Sequence, residues 1–285
     1  MFKLSQRLAI SIFLLFFLPR LSSPLSASDP EPSVFLEDFL SARFRLRNGH
    51  FIVKGVFPNI PTSGESHLEV WFDSDNWLGK LTNQTPFDNS GKTTTVLLND
   101  KGCYVHVGGS EVLQCERKSA MRYVGYFDVR SIGIALAAEM DAGSSVGEII
   151  RSKGMKQYKT ELLRNANDNV VIRRGPLPGG RFLVYEIDAA RGFTPVSAQF
   201  RKDATEMQQH ASCKWAQLDG EWVPLKFELV LNEKVRSHLS FEWTEVNKAY
   251  PSGFFELRSV FPGNTRFIQS QTDGAMRWKN VDKPR

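Results

Sequence analysis

The sequence predicts an α+β fold, a large curved antiparallel β-sheet covered by a few helices, and three observations carry this. From Arg181 to Asn247 the segments RFLVYEID, TPVSAQFRK, QQHASCKWAQL, EWVPLKFELVL and SHLSFEWTEV follow one another with only short turns. They alternate apolar and polar residues, the period of strands that are greasy on one face. Strands of about ten residues run roughly 33 Å, and a sheet that long and wide twists and curls. Its concave apolar face needs a cover, and helical patterns occur in only two regions, residues 33–46 and 130–153.

The elements follow in order. Lys3 and Arg7 precede the apolar run Leu8 to Leu18, and Leu25-Ser26-Ala27 offers small-residue cleavage chemistry. That is the order of a secretory signal peptide over residues 1–27. An apolar core of about 11 residues is short for the roughly 20 that a spanning helix needs. Residues 33–46 (SVFLEDFLSARFRL) predict an amphipathic helix with Val34, Phe35, Phe39, Leu40 and Phe44 on one stripe and Asn48-Gly49 as the stop. Strands follow at HFIVKGVF and SHLEVWFD, where Leu68, Val70 and Phe72 share a face. Residues 83–92 read as loop, then TTTVLLND resumes the sheet.

Asp128 to Asp141 is apolar almost all round, which predicts a buried helix. Ser145-Val146-Gly147-Glu148 matches a capping box and opens a short helix to about Lys153. A Gly/Pro loop at 175–180, flanked by Arg173, Arg174 and Arg181, leads into the closing meander. There Asp219-Gly220 is a hairpin signal, and Pro224, which cannot donate to a ladder, marks an edge or a bulge. With no linker or repeat in the middle, residues 28–256 read as a single domain and residues 257–285 as a basic irregular tail.

Charge excludes one class of partner. The chain has 36 Lys plus Arg against 31 Asp plus Glu, and loss of Lys3, Arg7 and Arg20 with the signal lowers the excess from +5 to +2. A mature chain so near neutrality gives no support for nucleic-acid binding.

Reading the strands by parity names the apolar face: Phe72, Leu183, Tyr185, Trp215, Leu225, Phe227, Leu229, Leu239, Phe241 and Trp243. These are the candidate ligand-binding residues. They are equally what any sheet needs for a core, since burying a large aromatic contributes about 2–3 kcal/mol.

Three cysteines in an exported chain leave at least one unpaired. CYVHV and EVLQC flank Gly108-Gly109-Ser110, so a hairpin sets Cys103 directly opposite Cys115 and Val105 opposite Leu113. Opposed residues lie within disulfide reach; two buried thiols are the other outcome, and both stay open.

The helix followed by HFIVKG, then HLEVWFDSD, YFDVRSIGIAL, RFLVYEIDAARGFTPVSAQF, DGEWVPLKFEL and LSFEWTEVN resembles exported bacterial proteins of a kind abundant in planctomycetes. Those proteins are related to the outer-membrane lipoprotein carrier (LolA-like) superfamily. The resemblance spans roughly residues 33 to 256. It implies a half-open β-barrel closed by helices, in the periplasm or cell envelope, with an apolar cavity for an acyl chain, a lipid or a lipoprotein.

Catalytic chemistry is sparse. Ser90-Gly91-Lys92-Thr93 imitates a phosphate loop, but the required earlier glycine falls at Pro86. Asp73-Ser74-Asp75-Asn76 imitates a calcium loop, but Trp77 and Leu78 occupy positions that need a ligand and a glycine. The five histidines show no short metal-ligand spacing, and no nucleophile elbow occurs. The expectation is therefore a non-catalytic protein with no cofactor and no metal. Its partner would be an acyl chain or lipoprotein, with peripheral membrane contact through the basic tail. The rival is a structural or sensory module with a filled core that acts through its outer surface.

Overall fold

The computed structural model describes residues 23–24, 31–57, 65–74, 76–83, 93–108, 110–124, 127–151, 158–203, 206–261, 265–270 and 276–278. The signal-peptide reading, most of the 83–92 loop and the ends of the tail lie outside the described residues.

The core of the fold is a curved open sheet of thirteen antiparallel strands. Two meanders build it. The first runs from β2 (Asn48–Val56) through β3 (Ser66–Asp73), β4 (Asn76–Asn83), β5 (Thr93–Asn99) and β6 (Gly102–His106) to β7 (Glu111–Cys115). The second runs from β8 (Thr160–Arg164) through β9 (Val170–Leu177), β10 (Arg181–Asp188), β11 (Thr194–Arg201), β12 (Met207–Leu218) and β13 (Glu221–Leu231) to β14 (Lys234–Val246). They join where β14 pairs with β2, from His238 opposite Val56 to Val246 opposite Gly49. A two-residue β1 (Ser23–Pro24) pairs with β8 at one edge. At the other edge β15 (Arg266–Ser270) adds parallel to β7, and β16 (Met276–Trp278) follows it.

Helix α1 (Pro32–Phe44) begins with proline at its first turn, where the missing N–H costs nothing. It buries Phe35, Phe39 and Leu40 against the sheet, but Val34 and Phe44 are exposed, and Ala42 and Arg43 are buried instead. The buried stripe is thus rotated from the one read off the sequence. One helix was not read at all: α2 (Arg117–Val124), whose Ala120 and Val124 sit in the core.

Asp128 to Asp141 is buried as expected but is not one helix. Asp128 caps a 3-10 turn, Val129–Ser131, by accepting from the backbone N–H of Arg130. The chain then reverses at Gly133 (φ +87°), and α3 (Ala137–Ala142) starts after it. Gly133 passes so close to Pro195 that an added Cβ would lie 2.9 Å from it, so packing against β11 overrides the helical pattern. The capping box is present: Glu148 N–H donates to Ser145 Oγ at 3.2 Å, and Ser145 N–H donates to Glu148 Oε2 at 2.6 Å. It opens α4 (Val146–Arg151).

Most of the core lies between the concave face and these helices. The opposite face has a smaller cluster in which Leu78, Leu97, Tyr104 and Val112 meet Phe255 and Phe261. Four outward-facing apolar residues need cover. The stretch expected to be irregular therefore contains α5 (Leu257–Val260), which packs there, and the strands β15 and β16.

Candidate functional site

A cavity of about 700 Å³ opens at the end of the sheet defined by the β3–β4 and β5–β6 turns. Phe51 from β2, Phe72 from β3, Trp77 from β4 and Leu98 from β5 line it, each on the inward parity of its strand. Phe127 and Val129 come from the capping segment and Phe44 from the end of α1. The aromatic rings form a continuous group: Phe51 lies 6.0 Å from Phe72 and 4.6 Å from Trp243 between centroids, and Phe127 lies 6.0 Å from Phe241. Such tilted and edge-on contacts add to area burial and stiffen the floor.

The rim is polar and predominantly cationic, with Arg47, Arg117 and Arg130 against one acid, Asp128. Asn247 fixes Arg47 by backbone: its Oδ1 accepts from the N–H of Arg47 at 2.8 Å, and its Nδ2 donates to Arg45 O at 3.0 Å. The carbonyl of Arg47 accepts from Ser74 N–H at 2.8 Å. Arg130 is held by Asp128, whose Oδ1 accepts from Arg130 Nε at 2.9 Å while Oδ2 accepts from Val146 N–H at 3.2 Å. The same guanidinium stacks over Phe44 at 5.1 Å. Asp128 is buried and offsets the charge of Arg130, so the described rim keeps an excess of two positive charges, three arginines less one aspartate.

Of the ten residues chosen from the sequence, only Phe72 lines this cavity. Leu183, Tyr185, Leu229 and Phe241 are buried in the core, with Trp215 and Trp243 packed against it. Each indole finds a carbonyl, Trp215 that of Pro195 at 2.6 Å and Trp243 that of Pro224 at 2.9 Å. Phe227 and Leu239 are also core and border a second groove of about 640 Å³ together with Lys54, Lys214, Lys226 and His238.

Leu225 is corrected. It is 40 % exposed because Lys214 pairs with Lys226 and Trp215 pairs with Pro224, leaving Leu225 as the extra residue of a bulge. The missed residues, Phe51, Trp77, Leu98 and Phe127 with the three arginines, come from segments far apart in sequence. Inward parity in HFIVKGVF and TTTVLLND was the available signal for Phe51 and Leu98.

Cys103 and Cys115 are directly opposed, as are Val105 and Leu113. Both cysteines are half-buried free thiols on the inner side, and Cys103 lines the cavity. Burial pushes the Cys115 thiol up to about 11 and raises Cys103, the latter partly offset by the positive charge of Arg117. Cys213 is buried and raised further by the same cause.

Two arginines lie inside the core. Arg43 is 2 % exposed, its guanidinium 4.3 Å over the Trp215 ring, and burial pushes its pKa down to about 10. Arg174, read as a loop cation, is 3 % exposed and donates to Ile150 O at 3.1 Å. Arg173 and Arg181 stack instead on Phe182 and Phe200.

On the outer face the structure brings together Thr244, His50 and Glu69, with Thr244 Oγ1 to His50 Nδ1 at 2.7 Å and His50 Nε2 to Glu69 Oε1 at 3.0 Å. Thr244 donates its hydroxyl hydrogen to His50 O at 3.0 Å, so the row is a polar cross-strand ladder rather than an activated nucleophile. Among the described residues no group of three His, Cys, Asp or Glu is placed to hold a metal ion, and no helix is long and apolar enough to cross a membrane.

Fold and site define a class: a curved open antiparallel sheet, packed with helices, that keeps a pocket with an aromatic floor and a polar, arginine-bearing rim at one end. No protein-family model matches this chain, and no curated protein matches it. Among solved structures it is similar to a LolA superfamily protein from Nitrosomonas europaea, at 14% identity and TM-score 0.42, covering 80% of this chain and 98% of that one. It is also similar to a DUF1329 family protein from Desulfovibrio piger, at 10% identity and TM-score 0.47, covering 81% and 100%. A third is a putative outer membrane lipoprotein-sorting protein domain from Vibrio parahaemolyticus, at 12% identity and TM-score 0.43, covering 78% and 95%.

Proposed function

We propose that this is a non-catalytic protein of the cell envelope that binds the apolar part of a lipid, an acyl chain above all, in the cavity lined by Phe51, Phe72, Trp77 and Phe127. The observation that carries the reading is the cavity itself. At about 700 Å³ it lies within the range that small-molecule sites occupy, and its floor is aromatic. The signal-peptide pattern of residues 1–27 supports export to the envelope. Binding would proceed by burial alone, without covalent chemistry or a cofactor. A lipidated protein could present the same acyl chain.

The rival reading, a structural module acting through its outer surface, draws support from the packing of the rest of the concave face into the core. Thermal melting with saturated fatty acids of increasing length separates the two. A ligand that binds only the folded state raises Tm with concentration. The lipid reading predicts such a rise, and a Tm indifferent to every chain length would overturn it.

A further inference from the structure

We infer that the cavity is selective for a small anionic amphiphile, a single-chain molecule whose carboxylate or phosphate head sits at Arg47, Arg117 and Arg130. This rests on the lipid-binding reading of the same cavity and names the class of ligand. An uncharged or cationic head would need a neutral or acidic rim. Here, among the described residues that line the cavity, three arginines stand against one aspartate.

That aspartate is paired with Arg130. The Asp128 carboxylate accepts from Arg130 Nε, from the Arg130 N–H and from the Val146 N–H. The terminal nitrogens of Arg130 remain for a ligand, and Arg47 makes no ion pair with a described residue. Arg117 lines the same cavity. The rim is also pre-organised. The backbone at Arg47 is fixed by Asn247 and Ser74, and the Arg130 side chain by Asp128 and the Phe44 ring, so less ordering is needed at Arg130 when an anion arrives. Guanidinium groups pair with planar carboxylate or with phosphate through two parallel N–H donors, and the aromatic floor below takes a chain.

Calorimetric titration of the mature protein tests this with four probes: dodecanoate, dodecyl phosphate, dodecyltrimethylammonium and inorganic phosphate. The inference predicts that both anionic amphiphiles bind at least about tenfold more tightly than the cationic one, a difference near 1.4 kcal/mol. It also predicts that inorganic phosphate alone binds far more weakly than either. The double variant Arg47→Ala, Arg117→Ala, at two exposed positions whose loss leaves the core untouched, removes the preference but leaves a residual affinity for the chain. The preference also shrinks at high salt. Equal binding of anionic and cationic chains overturns the charge selectivity while leaving the lipid-binding reading intact. Binding of neither overturns both. Phosphate binding as tight as dodecyl phosphate makes this an anion site and overturns the amphiphile.

Discussion

Phe51 and Phe72 meet with ring centroids 6.0 Å apart at the floor of the cavity, on neighbouring strands whose register places Phe51 opposite Val70. Phe72 faces the cavity, whereas Phe39, also hidden from solvent, lies among core side chains. The two truncations should therefore differ. Phe39→Ala is expected to cost about 3–5 kcal/mol in urea unfolding, the range of a large residue lost from a packed core. Phe72→Ala, bordering space that is already open, is expected to cost about 2 kcal/mol and to weaken acyl-chain binding. Equal costs with unchanged binding would place Phe72 in the core.

Asp128 ties two segments together: it caps the 3-10 turn and holds that turn's Arg130, and it accepts from the start of α4. Asp128→Asn keeps the shape but removes the charge that these donors face. A loss on the order of 3 kcal/mol is expected, as when one partner of a buried ion pair is removed, together with a looser Arg130 and weaker binding of anionic amphiphiles. Unchanged stability would show that the pairing is incidental.

The thiols set the alkaline limit. Burial raises Cys103, Cys115 and Cys213 in the folded state, while unfolded cysteines titrate near 8.5. The folded chain then holds protons that the unfolded chain has released, so stability present below about pH 8.5 is lost as pH rises toward 11. Denaturant midpoints should fall between pH 8 and 10, and Cys115→Ser should flatten that slope. With all three cysteines free, denatured protein should show three thiols reactive to maleimide, and native protein at pH 7 should react slowly at each. A single reactive thiol in denaturant would instead mean that Cys103 and Cys115 are bonded.

Local signals read well from the sequence wherever the chemistry was local. The Ser145–Glu148 capping box, the Asp219-Gly220 turn and the opposition of Cys103 and Cys115 depend on residues near one another. The parity of the closing meander also held on both sides of Pro224, from Leu183 and Tyr185 to Phe227, Leu229, Leu239 and Phe241. The bulge was signalled at Pro224, but the alternation was read straight through it, and Leu225 came out on the wrong face. The helix expected over Asp128 to Asp141 failed because contact with Pro195, some sixty residues away, decides the backbone at Gly133. Gly133→Ala tests this, since φ +87° and a Cβ 2.9 Å from Pro195 should cost upwards of about 2 kcal/mol. The cavity was the least readable feature. Its walls come from β2 to β6, from α2, from the end of α1 and from the 127–130 segment, which no local pattern brings together.

The central claim is that the cavity is occupied by a lipid in the protein's own surroundings. Native mass spectrometry of protein purified from its source envelope, paired with chemical extraction of whatever it carries, addresses this most directly. The account predicts one small acyl-bearing molecule per chain, displaced by added dodecyl phosphate and absent from the Phe72→Ala variant. A native mass equal to that of the bare polypeptide, with no lipid in the extract and none taken up on addition, would contradict it.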